Sequence, residues 1–370
     1  MKIIAIDAID INSFGGLIHL DQVIKILSKK KIFLKIYSNS FVNKNLKKNK
    51  NIKLIKKKLF DKNFIYRHFW KFLFLKKELE KGQCSLLLSL NGIYHGLFRP
   101  TILVQQNILP FDILTNEKYN FILRIKFFFQ KIAIITSIVL HKNIIFTSYD
   151  IKKKILKYFK KKNFFRNIVI YHGVKKGQIV KKNFFYKQKI KLLYISEFQK
   201  YKNHDKLFDA IKNSQNQNIS LDCIGRYEEK YLNKLNTKYN FKKLNIRILK
   251  NISYKDIIKT YKNYDALIFP SLCESFGLPV LEAAANNLPV LCSDLKVFRE
   301  IYGEGCFYFD PRSSKSILNK IYYFISLKNN EIIKKTKLNY SISKNLNWNF
   351  CGNNYYKTIL DTLNFYEKKN

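Results

Sequence analysis

Acidic residues are scarce in this chain. Over 370 residues, 26 Asp and Glu stand against 69 Lys and Arg, a formal net charge of +43. Such an imbalance directs attention to anionic partners, either nucleic acid or an anionic membrane surface. Lys, Asn, Ile, Phe and Tyr are over-used throughout, as A/T-rich codons would dictate, so genome-wide composition is the competing source of the charge. Paired metal-site cysteines are also missing. Cys84, Cys223, Cys273, Cys292, Cys306 and Cys351 form no C-x-x-C pair and no histidine clusters near them, which argues against zinc. Several lie in apolar runs and read as small core residues of a reduced, cytosolic protein.

Long apolar runs are lacking too. MKIIAIDAID at the N-terminus has no apolar core followed by a cleavage site and reads as a first strand. FFFQKIAIITSIVL (127–140) is interrupted by Gln130 and Lys131 and falls short of the ~20 apolar residues a membrane span needs. It reads as a buried helix, with an interfacial helix as the alternative.

What is present is a rhythm of short β-rich runs and longer helical patterns. KIIAID (2–7) is a strand, followed by a loop holding Gly15 and Gly16 and a helix from about Leu17. KIFLKIYS (31–38), CSLLLSL (84–90), TILVQQ (101–106) and NIIFTS (143–148) continue the series. A second series runs through IKLLYIS (190–196), SLDCIG (220–225), NIRIL (245–249), DALIFPS (265–271) and PVLCSD (289–294). Continuous apolar strands separated by helix-length segments indicate parallel sheets covered on both faces. Two such series imply two doubly wound α/β domains, and 370 residues suffice for both. KKGQIVKKNFFYKQK (175–189) reads as the linker. The densest basic run, 43–58, reads as a solvated loop and edge strand, with a lipid-binding patch as the alternative. No internal repeat is visible.

The most informative stretch is FPSLCESFGLPVLEA (269–283), which holds Glu274 and Glu282 in an otherwise apolar run. DALIFPS is a buried strand, and Pro279 suits the first position of the helix that follows. That helix should end near Asn286-Asn287. Glu282 then falls in its first turn and Glu274 in the preceding loop. Both lie beyond the carboxyl end of a parallel strand, where open α/β sheets bind ligands. Gly277 permits close backbone approach, and a helix N-terminus favours an anion such as pyrophosphate. Ionised carboxylates accept hydrogen bonds from hydroxyls. A ligand with sugar hydroxyls at both ends and phosphates between them, a nucleotide sugar, meets every requirement. An acid that merely stabilises a helix dipole is the alternative for Glu282.

The string S-x-x-E-S-F-G-L-P-x-x-E-A resembles the Glu-x7-Glu motif of the family 4 retaining glycosyltransferases. The resemblance covers most of the chain. It takes in the first strand with Gly15-Gly16, NGIYHGLFRPTILVQQNILPF (91–111), IYHGV (170–174), YISEFQKYKNH (194–204) and LPVLCSD through FYFDP (288–311). It implies a GT-B fold, two Rossmann-like doubly wound parallel-sheet domains facing across a cleft. Residues 1–183 would be the acceptor-binding domain and 184–346 the nucleotide-sugar-binding domain. Helix 347–370 would cross back to the first, with Trp348, Tyr355, Ile359, Leu360, Leu363 and Tyr366 in its helical pattern.

By the same resemblance, Glu282 would bind the donor's ribose and Glu274 the transferred sugar near the reaction centre. Backbone groups of Ser275, Phe276, Gly277 and Leu278 would hold the sugar and distal phosphate. Lys202 would neutralise the pyrophosphate, with Lys200 as a second candidate. The family's usual arginine upstream is replaced by Glu197 or Phe198. Where many members carry an acceptor-side histidine, this chain has Gln106 and Asn107, whose amides can still bond sugar hydroxyls. Gly15 and Gly16 would form the acceptor or phosphate loop. His172 and Arg226 read as structural, the latter pairing with local acids. His95, in a loop beside Gly96, is a further candidate for the acceptor side.

The implied reaction is metal-independent transfer with retention, from a GDP- or UDP-linked sugar to a glycan or lipid-linked acceptor. No cofactor is implied, and no D-x-D pair suggests a metal. A hexose is expected, mannose from GDP first among the choices, for cell-surface polysaccharide or lipopolysaccharide synthesis. The place of work would be cytoplasmic, at the inner face of the membrane. The alternatives are a nucleotide-sugar-binding protein without transferase activity and a basic nucleic-acid-binding protein. The second lacks any recognisable nucleic-acid module, and no nucleic acid partner is expected.

Overall fold

The computed structural model describes residues 2–46, 50–112, 119–159, 166–177, 189–214, 218–250, 252 and 254–368. It divides into two compact units. Unit one comprises Met1–Phe111, Phe121–Gly173 and Trp348–Asn370, and unit two Asp112–Asn120 and Val174–Asn347. The division falls between Gly173 and Val174, ahead of the expected 183/184. Of the expected linker, residues 178–188 lie outside the described residues.

Unit one is built on β1 (Lys2–Ala8), β2 (Ile32–Ser38), β3 (Ile52–Ile55), β4 (Leu86–Ser89), β5 (Thr101–Gln105), β6 (Asn143–Phe146) and β7 (Arg166–Val169). These form one parallel sheet in the order β3-β2-β1-β4-β5-β6-β7. The central strands are Ile- and Leu-rich because both faces are covered: Ile4, Ile6, Leu34, Leu86 and Leu88 are wholly buried. The covering helices are α1 (Phe14–Leu27), α2 (Ser40–Asn45), α3 (Phe64–Leu73), α4 (Leu75–Lys81), α5 (Phe121–His141) and α6 (Tyr149–Leu156).

Unit two carries β8 (Ile190–Ile195), β9 (Ile219–Ile224), β10 (Ile246–Leu249), β11 (Ala266–Phe269), β12 (Val290–Ser293) and β13 (Phe307–Phe309). Its parallel order is β10-β9-β8-β11-β12-β13. Helices α7 (His204–Lys212), α8 (Glu229–Tyr239), α9 (Tyr254–Thr260), α10 (Leu278–Ala285), α11 (Lys296–Tyr302), α12 (Ser314–Ser326) and α13 (Asn329–Asn345) accompany it. In both sheets the chain starts in the middle, builds outward one way, then crosses to the other side. The crevice at that reversal lies between β1 and β4 in unit one and between β8 and β11 in unit two.

The last helix, α14 (Trp348–Glu367), belongs to unit one and packs on α1. Trp348, Tyr355, Ile359 and Leu363 are buried, while Leu360 and Tyr366 are half-buried. Arg166 bonds Asp361 at 2.8 Å and Lys2 bonds Glu367 at 2.8 Å, fixing the helix at both sheet and terminus.

Three sequence expectations need correction here. Helix α1 begins at Phe14, so Gly15 and Gly16 lie in its first turn and not in a loop. Ser13 caps it early: its Oγ accepts from Gly16 N at 3.2 Å. The segment 127–140 belongs to α5, but only its second half is a buried helix. From Phe121 to Ala133 no residue is buried, and the first that is buried is Ile134. Strands β7 and β13 were absent from the two strand series. Both are sheet edges. The described part of the basic run 43–58 supplies α2 and edge strand β3.

All six cysteines are buried and free. Among the described residues no group of His, Cys, Asp and Glu could hold a metal, and no helix is long and apolar enough to cross a membrane.

Candidate functional site

The crevice of unit two is bounded by the loops that leave β8 and β11. After β8 the chain makes a tight turn, Lys200–Lys202, and Asn203 then adopts the left-handed conformation, φ 64°. Asparagine tolerates that conformation, and here its amide is also used. Asn203 Nδ2 donates to Pro270 O at 3.1 Å and Pro311 O at 2.6 Å, tying the loops after β11 and β13 to the start of α7. Leu272 N donates to Tyr201 O at 2.8 Å. The two loops are therefore stitched by backbone and amide bonds before any charge is considered.

Across this seam lies an ion pair. Lys202 Nζ is 2.5 Å from Glu274 Oε1, with the side chains 13% and 9% exposed. The ammonium also lies 5.4 Å from the ring centroid of Phe269 and 4.7 Å from that of Tyr201. Burial works against the charged lysine, but Glu274, Tyr201 and Tyr194 outweigh it, and its pKa is raised above the usual lysine value. Lys202 is thus a fixed cation at the crevice.

Three residues beyond Glu274, Gly277 stands at φ 83°. A Cβ there would come within 2.5 Å of Phe298 Cε1. Only glycine meets both demands. The turn starts α10 at Leu278, with Pro279 one position further in than expected. Glu282 consequently lies beyond the first turn, which carries no acid. This corrects the expected placement and removes dipole stabilisation as its reason for being there. At the start of α10 Pro279 has no N–H and Val280 N donates to Gly277 O at 3.0 Å, so Leu278 supplies the first-turn N–H with no carbonyl one turn back, at the helix end that favours an anion.

Glu282 is 3% exposed. Tyr254 Oη donates to its Oε1 at 2.6 Å and Tyr261 Oη to its Oε2 at 2.8 Å. Burial raises the Glu282 pKa, and the two tyrosine hydroxyls partly oppose that rise. Each carboxylate oxygen retains a further lone pair, so the tyrosines orient the group without exhausting it. Sequence reasoning missed Tyr254, Tyr261 and Asn203. Tyr261 stands just before the strand DALIFPS, the one signal that could have drawn attention to it.

Lys200, in the same turn as Lys202, is exposed, with its ammonium 6.0 Å from the ring centroid of Tyr119. The sequence-predicted Ser275 and Phe276 lie between Glu274 and α10, Leu278 is the first residue of α10, and Phe276 is buried. Glu197 pairs with Arg226, and Phe198 stacks on His204 at 4.0 Å.

Gln106, Asn107, Gly15 and Gly16 belong to unit one. Gln106 Nε2 donates to Leu90 O at 2.6 Å, and Asn107 Oδ1 accepts from Leu109 N at 3.2 Å. The exposed Asn107 thereby caps a short turn. His95 Nε2 lies 2.8 Å from Thr136 Oγ1. His172 is buried, 4.4 Å from the ring of His19, in a core shared with Trp348.

Comparison with known proteins bears on both units. Residues 175–340 match the family described as glycosyl transferases group 1. O-antigen chain mannosyltransferase RfbU of Salmonella typhimurium is 28% identical over 179 residues, 47% of this chain and 48% of that protein. The chain therefore spans about half the length of this curated relative. Among solved structures, sucrose-phosphate synthase from Thermosynechococcus elongatus aligns with a TM-score of 0.77 at 13% identity, over 98% of this chain and 100% of that one. HepE of Anabaena, in complex with UDP and glucose, gives 0.73 at 14% identity, over 98% and 100%. At such identities the structures establish the fold, the two-sheet GT-B architecture. Residues 175–340, most of unit two, are thus the part of the chain that resembles the glycosyl transferases group 1 family.

Proposed function

We propose that this protein is a metal-independent retaining glycosyltransferase. It would move a hexose, mannose from GDP being the first expectation and UDP donors the second, to a glycan or lipid-linked acceptor of a cell-surface polysaccharide. It would work in the cytoplasm, at the inner membrane face. The Lys202–Glu274 pair carries this reading, because it sets a fixed cation and a carboxylate at the crevice of unit two, three residues before the anion-favouring start of α10.

The roles follow from chemistry. An ammonium has three N–H donors, so Lys202 can hold Glu274 and still meet a phosphate oxygen. The N–H groups at Gly277 and Leu278, with those of Ser275 and Phe276, would take the remaining diphosphate charge. Preorganised donors of this kind stabilise charge that develops as the leaving group departs. Glu282, held by Tyr254 and Tyr261, would accept from ribose hydroxyls, and Glu274 from hydroxyls of the transferred sugar. The bond from the anomeric carbon to the diphosphate breaks, and the acceptor oxygen bonds that carbon on the same face. The acceptor proton leaves with the diphosphate. No carboxylate has to act as a covalent nucleophile, as one does in retaining glycosidases. Gln106 and Asn107 are assigned to the acceptor side, together with the α1 start at Gly15 and Gly16.

The deciding experiment is release of nucleoside diphosphate from a panel of GDP- and UDP-sugars, with and without membrane acceptors. One donor should turn over, and Glu274→Gln and Glu282→Gln should abolish it. Binding without turnover on every acceptor would leave a donor-binding protein. Neither binding nor turnover would reduce the two acids to structural residues.

A further inference from the structure

Among the described residues, most of the large apolar side chains left exposed lie on two helices of unit one, α3 and α5. Helix α3 is inverted. Ile65, Phe69, Phe72 and Leu73, spaced as one helical face, are 74%, 60%, 55% and 41% exposed. Its cations point inward instead. Lys71 is 1% exposed, and its Nζ bonds Asp7 at 3.0 Å, Asp10 at 2.8 Å and Ile93 O at 3.1 Å. Arg67 Nε lies 2.9 Å from Asp10 Oδ1. A surface helix facing only water has the opposite arrangement.

The first half of α5 is equally anomalous. Phe121, Ile122, Phe128 and Phe129 are each at least 60% exposed, and no residue before Ile134 is buried. One loop touches both helices. Lys71 of α3 holds Ile93 O, and Tyr94 N donates to Ser137 Oγ of α5 at 3.1 Å. Leu97, 63% exposed, follows in the same loop.

Charge identifies the occupant. Neither helix carries an acid. Arg124, Lys126 and Lys131 are interleaved with the aromatics of α5, and Lys76 and Lys77 follow α3. A second copy of the chain would bring together two acid-free, basic surfaces. A bilayer interface offers acyl chains to the aromatics and anionic headgroups to the cations.

We propose that the outward stripe of α3 and the first half of α5 form a docking surface for an anionic lipid bilayer. The Asp7–Lys71–Asp10 cluster anchors α3 at the β1/β4 crevice, so that its apolar face is presented rigidly. This deepens the membrane-side location proposed above but requires no transferase activity, so the two readings fail separately.

The test is co-sedimentation of the full chain with phosphatidylcholine vesicles, with and without phosphatidylglycerol, at low and high salt. The wild type should bind the anionic vesicles and retain part of that binding at high salt. Phe69→Ser with Phe72→Ser, and separately Phe128→Ser with Phe129→Ser, should each weaken partitioning roughly tenfold. Unfolding temperature should not fall, because these side chains are exposed, and Leu338→Ser in unit two should change nothing. Wild-type-like binding by both double variants would overturn the proposal, as would binding lost entirely at high salt. So would self-association that the variants abolish without any vesicle binding, since the surface would then belong to a second copy.

Discussion

Lys202 Nζ and Glu274 Oε1, 2.5 Å apart, join the loop after β8 to the loop after β11. Breaking such a pair on one side strands a charge in a largely dehydrated place, which costs about 3 kcal/mol or more. Glu274→Gln and Lys202→Met should each destabilise unit two by roughly that much, with the double variant losing far less than the sum. Activity should behave differently. If both groups act on the donor, each single variant loses on the order of 100-fold in kcat, and the double variant recovers none of it. Urea denaturation and nucleoside diphosphate release, run on the same four proteins, separate the two effects.

Glu282 gives a pH signature. Its folded pKa is raised above 4.5 by burial, despite the Tyr254 and Tyr261 hydroxyls. A raised pKa means that the folded state holds the proton more tightly. Its contribution is therefore fully present below pH 4.5 and lost as pH rises through the folded value. Glu282→Gln should remove that slope. Tyr254→Phe deletes a bond that favours the carboxylate, so it should move the acid limb of donor binding to higher pH and raise the donor KM. A Tyr254→Phe variant with an unchanged pH profile would show that the hydroxyl does not position Glu282.

The central strands and the Glu274–Glu282 loop were legible in sequence because both faces of those strands are buried and the loop's residues are chemically unusual. Two of the four edges, β3 and β10, were legible as well, but β7 is only partly buried and β13 has just three residues, so neither stood out as a strand. Tyr254 and Tyr261 were illegible for another reason. In a chain with 24 tyrosines, two that converge on one carboxylate from 28 and 21 residues away look like any others. Helix α5 misled because apolar content alone does not distinguish a face the protein covers from one it leaves exposed.

Histidines supply an opposing pH dependence. All six are held below the usual value of 6.5, burial being the main cause in every case. His19 and His141 fall to about 4, His68 and His204 to about 3. A lowered folded pKa gives stability that is present above 6.5 and lost as pH falls toward the folded value. For His19 alone the loss amounts to about 3 kcal/mol between pH 7 and pH 4. The protein should weaken steeply below pH 6.5. His19→Leu should reduce that slope, since burial of the ring is the main cause of its low pKa and Gln106 only partly opposes it. Urea midpoints between pH 7.5 and 5 test this, and a variant as acid-sensitive as the wild type would assign the loss to the other histidines.

Two glycines should fail for different reasons when changed to alanine. At Gly277 the backbone itself, at φ 83°, disfavours any side chain, and the new Cβ would meet the buried Phe298 ring. Gly277→Ala should cost about 2 kcal/mol or more and displace the start of α10, so donor binding should be lost along with stability. Gly352, inside α14, has no left-handed backbone, but its Cβ would come within 2.5–2.8 Å of three atoms of Ile26 on α1. Gly352→Ala should cost roughly 1–3 kcal/mol as overpacking. Ile26→Val, which removes one of the clashing atoms, should recover part of that loss, whereas no side-chain change at Phe298 can fully restore Gly277→Ala. Thermal unfolding of the singles and of the Gly352→Ala/Ile26→Val pair distinguishes a packing glycine from a conformational one. Donor binding that survives Gly277→Ala would remove the α10 start from the proposed site.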